Sequence, residues 1–193
     1  MTTVVLMGPP GAGKGTHAGH LAERLGVPVI STGDIFRAQV AAATELGRTA
    51  QRFLDAGEYV PDEVTNAMVR ERLAAGDTRP GFLLDGYPRT LDQAAVLDGI
   101  LIGQGRSLDA AVVLQVDPED LLHRLLRRAE IEHRSDDTEE VIRRRFQVYD
   151  DQTAPLLALY AGRGIHHEVD ASADVDTVRE RMRQVADLLR PAA

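Results

Sequence analysis

The chain has 193 residues, 44% hydrophobic and 27% charged, with a formal net charge of −8 and a sequence pI of about 5.2. So acidic a chain argues against broad nucleic-acid binding, which needs a basic face, and it has no apolar run near the roughly 20 residues that span a bilayer. It contains no cysteine, which excludes disulfides and thiolate metal sites; with no basic segment ahead of the first apolar run, this points to a cytoplasmic protein.

In chain order, "TVVLM" (3–7) is a first strand. It is followed by the glycine-rich "GPPGAGKGT" and a helix whose Ala18, Leu21, Ala22 and Leu25 recur at i, i+3, i+4, i+7. "VPVIS" (27–31) is a second strand. Residues 32–61 carry two helical stretches and no strand, and read as a small inserted helical subdomain. Helical "VPDEVTNAMVRERL" leads to the strand "GFLLD" (81–85), and further strands follow at "AAVVLQV" (110–116) and "HHEV" (166–169). The polar stretch "AEIEHRSD" (129–136) separates two arginine-bearing helices and reads as a short lid. The strands lack strict alternation, as strands covered on both faces do, and helices intervene between them. The expected fold is a doubly wound α/β domain on a parallel five-stranded sheet, with a core of 1–31, 62–128 and 137–193.

The loop after the first strand nearly matches the phosphate-cradling pattern G-x-x-x-x-G-K-S/T, and strand, turn and helix stand in the order that pattern needs. Gly8, Gly13 and Lys14 are in place, Gly15 occupies the hydroxyl slot, and Thr16 follows. Its glycines let backbone N–H groups converge on phosphate oxygens, and the helix N-terminus adds positive potential. Of 22 basic residues, Lys14 is the only lysine, a flexible point charge that a planar guanidinium cannot replace. Without a hydroxyl at position 15, magnesium would be held mainly by the nucleotide. Asp85, closing the strand "GFLLD", would reach it through water. No metal ligand is expected directly from the protein.

Among the arginines, Arg145 stands out. In the helix from Asp137 onward, Val141, Val148, Gln152, Leu156 and Leu159 share a face with Ile142, Tyr149 and Tyr160, and the stripe centres near Arg145. A guanidinium aimed along an apolar stripe needs an anion or a structural ion pair. Arg143 and Arg144 fall away from the stripe. In "EDLLHRLLRRAE" the apolar stripe is Leu121, Leu122, Leu125 and Leu126; Arg127 points opposite, and Arg124 and Arg128 flank it four residues apart. His17, His20, His166 and His167 lack a third ligand at metal-binding spacing and read as surface or core residues.

"GPPGAGKGT", "STGDIFR" (31–37), "DAGEYVPDE" (55–63), "GFLLDGYPRTLDQA" (81–94), "RSDDTEEVIRRR" (134–145) and "TAPLL" (153–157) occur in one order over nearly the whole chain. In these motifs the sequence resembles the adenylate kinases, within the nucleoside monophosphate kinases. The resemblance implies a P-loop fold and reversible transfer from MgATP to AMP, giving two ADP. Gly11, Ala12, Gly13, Lys14, Gly15 and Thr16 would bind ATP, together with Arg128 and the backbone of Ala173. Thr32, Arg37, Glu58, Tyr59, Val60, Gly86, Tyr87, Pro88, Arg89 and Gln93 would form the AMP side, where residues 32–61 are the monophosphate-binding subdomain. Arg124 and Arg134 would grip the phosphates and the transferred group, and Arg145 the AMP phosphate; with Lys14 and Arg89 these are the candidate catalytic residues.

The same resemblance implies small-molecule partners only, with no nucleic acid or membrane, and a monomer. Departures are informative. The lid is short, has His133 as its only histidine and has no cysteines, so structural zinc is not expected. Arg127 and Ala171 stand where the family often has glycine. The nearest alternatives are a UMP/CMP kinase and a silent ATP-binding scaffold. A GTPase switch would need an Asn-Lys-x-Asp motif, but Asn66 is the only asparagine.

Overall fold

A computed structural model describes residues 1–132 and 138–189. The chain alternates β1 (Thr2–Met7), α1 (Lys14–Leu25), β2 (Val29–Ser31), α2 (Thr32–Ala41), α3 (Glu45–Asp55), α4 (Asp62–Leu73), β3 (Gly81–Asp85) and α5 (Leu91–Gly103). It continues through β4 (Ala110–Gln115), α6 (Pro118–Glu132), α7 (Glu139–Val148), α8 (Pro155–Gly162), β5 (His166–Asp170) and α9 (Val175–Leu189). The five strands form one parallel sheet in the order β2-β3-β1-β4-β5. β1 therefore sits in the middle, and all six of its residues are buried.

Alternate residues of each strand feed two apolar layers, because side chains alternate across the sheet. Val4, Leu6, Leu83, Val112 and Leu114 face Ala18, Leu21 and Ala22 of α1 and Val178, Met182 and Ala186 of α9. Val5, Met7, Phe82, Leu84 and Val113 face Val69 and Leu73 of α4, Leu97 and Leu101 of α5, and Leu156 and Tyr160 of α8. Each such aliphatic side chain contributes about 1.5–3 kcal/mol by burial. Burial on both sides explains why the strands read as unbroken apolar runs.

α2 and α3 pack on each other around a separate small cluster of Phe36, Ala50 and Val60. Ser31 caps α2 by accepting from the Asp34 amide, and Thr44 caps α3 by accepting from Gly47 at 3.0 Å. Two details differ from the sequence reading. α6 continues through residue 132, so residues 129–132 are helical rather than part of a polar interruption. Between α7 and α8 the chain makes a π turn, Tyr149–Thr153. That turn adds a residue to the helical repeat and shifts its phase. Gln152, expected on the apolar stripe, is exposed, and Thr153 is buried in its place.

Candidate active site

The carboxyl ends of β1, β2, β3 and β5 open into one cleft of about 840 Å³. Parallel strands place ligands at this end of the sheet. The turn after β1 is built on left-handed glycines. Gly8 adopts φ 139, and a Cβ there would stand 2.8 Å from the Leu114 carbonyl oxygen of β4. Only glycine lets the loop lie this close to the sheet. A Cβ on Gly15 would meet nothing within 4 Å, so the missing hydroxyl is not a steric requirement.

Lys14 opens α1 and donates from Nζ to the Gly8 carbonyl at 2.7 Å and the Pro9 carbonyl at 3.0 Å. Burial pushes its ammonium down to about 8; Asp85 pulls the other way, and Arg89, Arg145 and Arg128 press it further down. The same burial pushes the Asp85 carboxyl up, against Lys14 and Arg89. That carboxylate lines the cleft and makes no hydrogen bond to the protein among the described residues.

Arg37, Arg89, Arg124, Arg128 and Arg145 all line this cleft with Lys14, as does Arg127 at its mouth. Their present engagements differ. Arg37 lies back on its own helix, paired with Asp34 at 2.5 Å. Arg124 donates to the carbonyls of Ala171 and Ser172 at 3.0 and 3.3 Å, and so ties α6 to the loop carrying Ala173. Arg89 donates from Nε to the Gly86 carbonyl at 2.8 Å and stacks 4.7 Å from the centroid of the Tyr59 ring. Its two terminal nitrogens have no carboxylate or carbonyl acceptor among the described residues. Arg145, half-buried, reaches the cleft beside Gly57. Arg143 and Arg144 are exposed and paired with Glu139 and Glu58.

Gly11, Gly13, Gly15, Thr16, Glu58, Tyr59, Gly86, Pro88 and Ala173 also line the cleft. Ala12, Thr32, Val60, Tyr87 and Gln93 do not; they are buried beneath its wall. Thr32 donates to the Gly86 carbonyl at 3.0 Å, and the capping of α2 falls to Ser31. The Gln93 amide accepts from the Arg89 backbone N–H at 2.7 Å and donates to Asp62 at 2.6 Å. Its second amide hydrogen and second lone pair remain, but the side chain is almost fully buried. The Tyr87–Pro88 bond is cis. Arg134 and His133 lie outside the described residues.

Sequence reading missed Tyr149 and Thr153, which line the cleft because the π turn aims them there. It also left His17 undecided. The ring is buried, its Nδ1 has no partner among the described residues, and burial holds the imidazole below its ordinary value, helped by His20, Arg179 and Arg124.

The family model for adenylate kinase matches residues 6–165. The chain belongs to the adenylate kinase family. It is 55% identical over 186 residues to an adenylate kinase of a Nocardioides species, covering 96% of this chain and 97% of that one. An adenylate kinase of Kocuria rhizophila is 56% identical over 182 residues, covering 94% and 97% of the two chains. One of Thermobifida fusca is 55% identical over 178 residues, covering 92% and 94%. As a member of the adenylate kinase family the protein is an enzyme, a nucleoside monophosphate kinase with a P-loop fold. No described helix is long and apolar enough to cross a membrane.

Proposed function

We propose that the cleft holds MgATP on the Gly8–Thr16 loop and AMP beneath residues 32–61, and moves the γ-phosphoryl group between them to give two ADP, reversibly. The observation that carries this reading is the gathering of Lys14, Arg37, Arg89, Arg124, Arg128 and Arg145 around one cleft on a chain of net charge −8. Phosphoryl transfer asks little covalent chemistry of a protein. It needs two nucleotides in line and cations around the moving group. The AMP phosphate oxygen is itself the nucleophile, so no general base is assigned, and positioning supplies the rate.

In this reading the loop amides of Gly11, Ala12, Gly13, Gly15 and Thr16 and the Lys14 ammonium take the donor phosphates. Arg128 and the Ala173 backbone take the donor adenosine. Arg89, Arg37 and Arg145 clamp the acceptor phosphate, and Arg124 and Arg134 neutralise the transferred group. Gly86, Pro88 and the backbone at Glu58, Tyr59 and Val60 surround the acceptor base, with Thr32, Tyr87 and Gln93 shaping that wall from beneath.

Among the described residues no three His, Asp or Glu side chains gather as a metal cage. Asp85, half-buried and with no hydrogen-bond partner for its carboxylate among the described residues, together with the open position at Gly15 and the exposed Thr16, suits a hydrated magnesium held by nucleotide phosphates. When bound, that ion would neutralise phosphate charge. Residues 32–61 act as the monophosphate-binding subdomain and 129–136 as the lid on a single P-loop core. A cytoplasmic monomer is the proposed working form.

The test mixes purified protein with magnesium, ATP and each nucleoside monophosphate, and measures the diphosphate formed. AMP is expected to be the preferred acceptor. Arg89→Ala and Arg145→Ala should each lose roughly a hundredfold or more in turnover while unfolding within a few degrees of the parent. Parental turnover and AMP affinity in both variants would reject the assignment.

A further inference from the structure

We propose that the Tyr59 side chain is a positioning residue for Arg89, holding its guanidinium in register with the acceptor phosphate. This rests on the reading that Arg89 clamps that phosphate.

Arg89 is restrained from several sides. Its guanidinium carbon lies over the Tyr59 ring, 4.7 Å from the centroid. Its Nε donates to Gly86 at 2.8 Å and its backbone N–H to Gln93 at 2.7 Å. Its carbonyl accepts from the Thr153 hydroxyl at 2.9 Å. Thr153 Oγ1 also lies 2.7 Å from the Tyr59 hydroxyl. A carbonyl can only accept, and Thr153 has one hydroxyl hydrogen, so that hydrogen goes to Arg89 and the Tyr59 O–H donates to Thr153. The relay has one direction: Tyr59 to Thr153 to the Arg89 carbonyl. The ring therefore holds the guanidinium face while the hydroxyl, through Thr153, holds the backbone of the same residue.

This arrangement leaves the useful edge open. Stacking engages the π face of a guanidinium, whereas anions are bound in its plane. With its guanidinium over the Tyr59 ring and Nε on Gly86, Arg89 lines the cleft, and its two terminal nitrogens have no carboxylate acceptor among the described residues.

The restraint also crosses between parts of the molecule. Tyr59 follows α3, and its neighbours bear on the same partner. The Glu58 carboxylate pairs with Arg144 of α7 at 2.6 Å, and a Cβ on Gly57 would stand 2.9 Å from the Val141 carbonyl oxygen. Residues 57–59 thus lie along α7 and the π turn. The same segment that would cover AMP also aligns the arginine that would grip its phosphate. Seating of the acceptor and alignment of Arg89 become one event.

Tyr59→Leu, Tyr59→Phe, Arg89→Ala and the Tyr59→Leu/Arg89→Ala double variant test this, with kcat, KM for AMP and for ATP, and melting temperature measured for each. Tyr59→Leu is expected to lower kcat/KM for AMP roughly ten- to thirtyfold, leaving KM for ATP within about twofold. Tyr59→Phe keeps the ring and should lose less, roughly two- to fivefold. In the Arg89→Ala background, Tyr59→Leu should cost little more, because its effect runs through that arginine. Parental kcat/KM for AMP in Tyr59→Leu overturns the inference. So does a loss that is equal for ATP and AMP, or one that multiplies fully with that of Arg89→Ala; either marks a merely structural side chain. High activity in Arg89→Ala itself would instead overturn the phosphate-clamp reading on which the inference stands.

Discussion

Lys14 shows at the scale of one residue how the loop is prepared. Its ammonium rests on the Gly8 and Pro9 carbonyls, and burial brings it down to about 8 from 10.5. Donor phosphates arriving beside it would restore the charged form. ATP binding near pH 8.5 is therefore expected to take up a sizeable fraction of a proton, and binding near pH 6.5 almost none. Titration calorimetry in two buffers of different ionisation enthalpy measures this, with Lys14→Met abolishing the uptake. Equal heats in both buffers at pH 8.5 would contradict the assignment. The effect on folding has the opposite sense. With the folded value below the unfolded one, the unfolded chain binds more protons between about 8 and 10.5. Lys14 thus weighs against stability below pH 8, and that cost is relieved as pH rises through the window.

At the scale of the element, the α2–α3 pair carries a close contact that can be tested alone. A Cβ on Gly47 would stand 2.1 Å from the Gln39 carbonyl oxygen and 2.6 Å from the Val40 amide nitrogen. Backbone cannot yield as a side-chain end does, so Gly47→Ala should force the helices apart. The expected cost is about 1–3 kcal/mol of stability. KM for AMP should rise several-fold and KM for ATP hardly change. Steady-state kinetics with thermal unfolding check both, and an unaltered KM for AMP would contradict the role given to residues 32–61. The helical reading of α7 and α8 failed at one place for a physical reason. A 3.6-residue period cannot announce a π turn, so Gln152 was placed inside and Thr153 overlooked. Arg145, upstream of that turn, lines the cleft.

For the whole molecule, the sheet and the loop were legible because each rests on a local signal. Apolar runs bounded by turns marked all five strands to within two residues at either end. Glycine spacing with a lone lysine marked the phosphate loop. What stayed illegible depends on pairing across long sequence distances. That Gln93 is held by Asp62, 31 residues away, could not be read from the sequence. Nor could it be read that Thr32 bonds the Gly86 carbonyl 54 residues away. No periodicity encodes such partnerships.

The two halves of the cleft also have unequal foundations. The donor loop springs from β1, buried along its whole length at the middle of the sheet, while the opposite wall leans on the small cluster of Phe36, Ala50 and Val60. Local opening is easiest where few apolar contacts must be broken. On warming, grip on AMP should slacken well before grip on ATP, and calorimetric affinities taken every few degrees would reveal that order, or refute it by a parallel decline. Heat would then make this enzyme forgetful of one guest while it still holds the other.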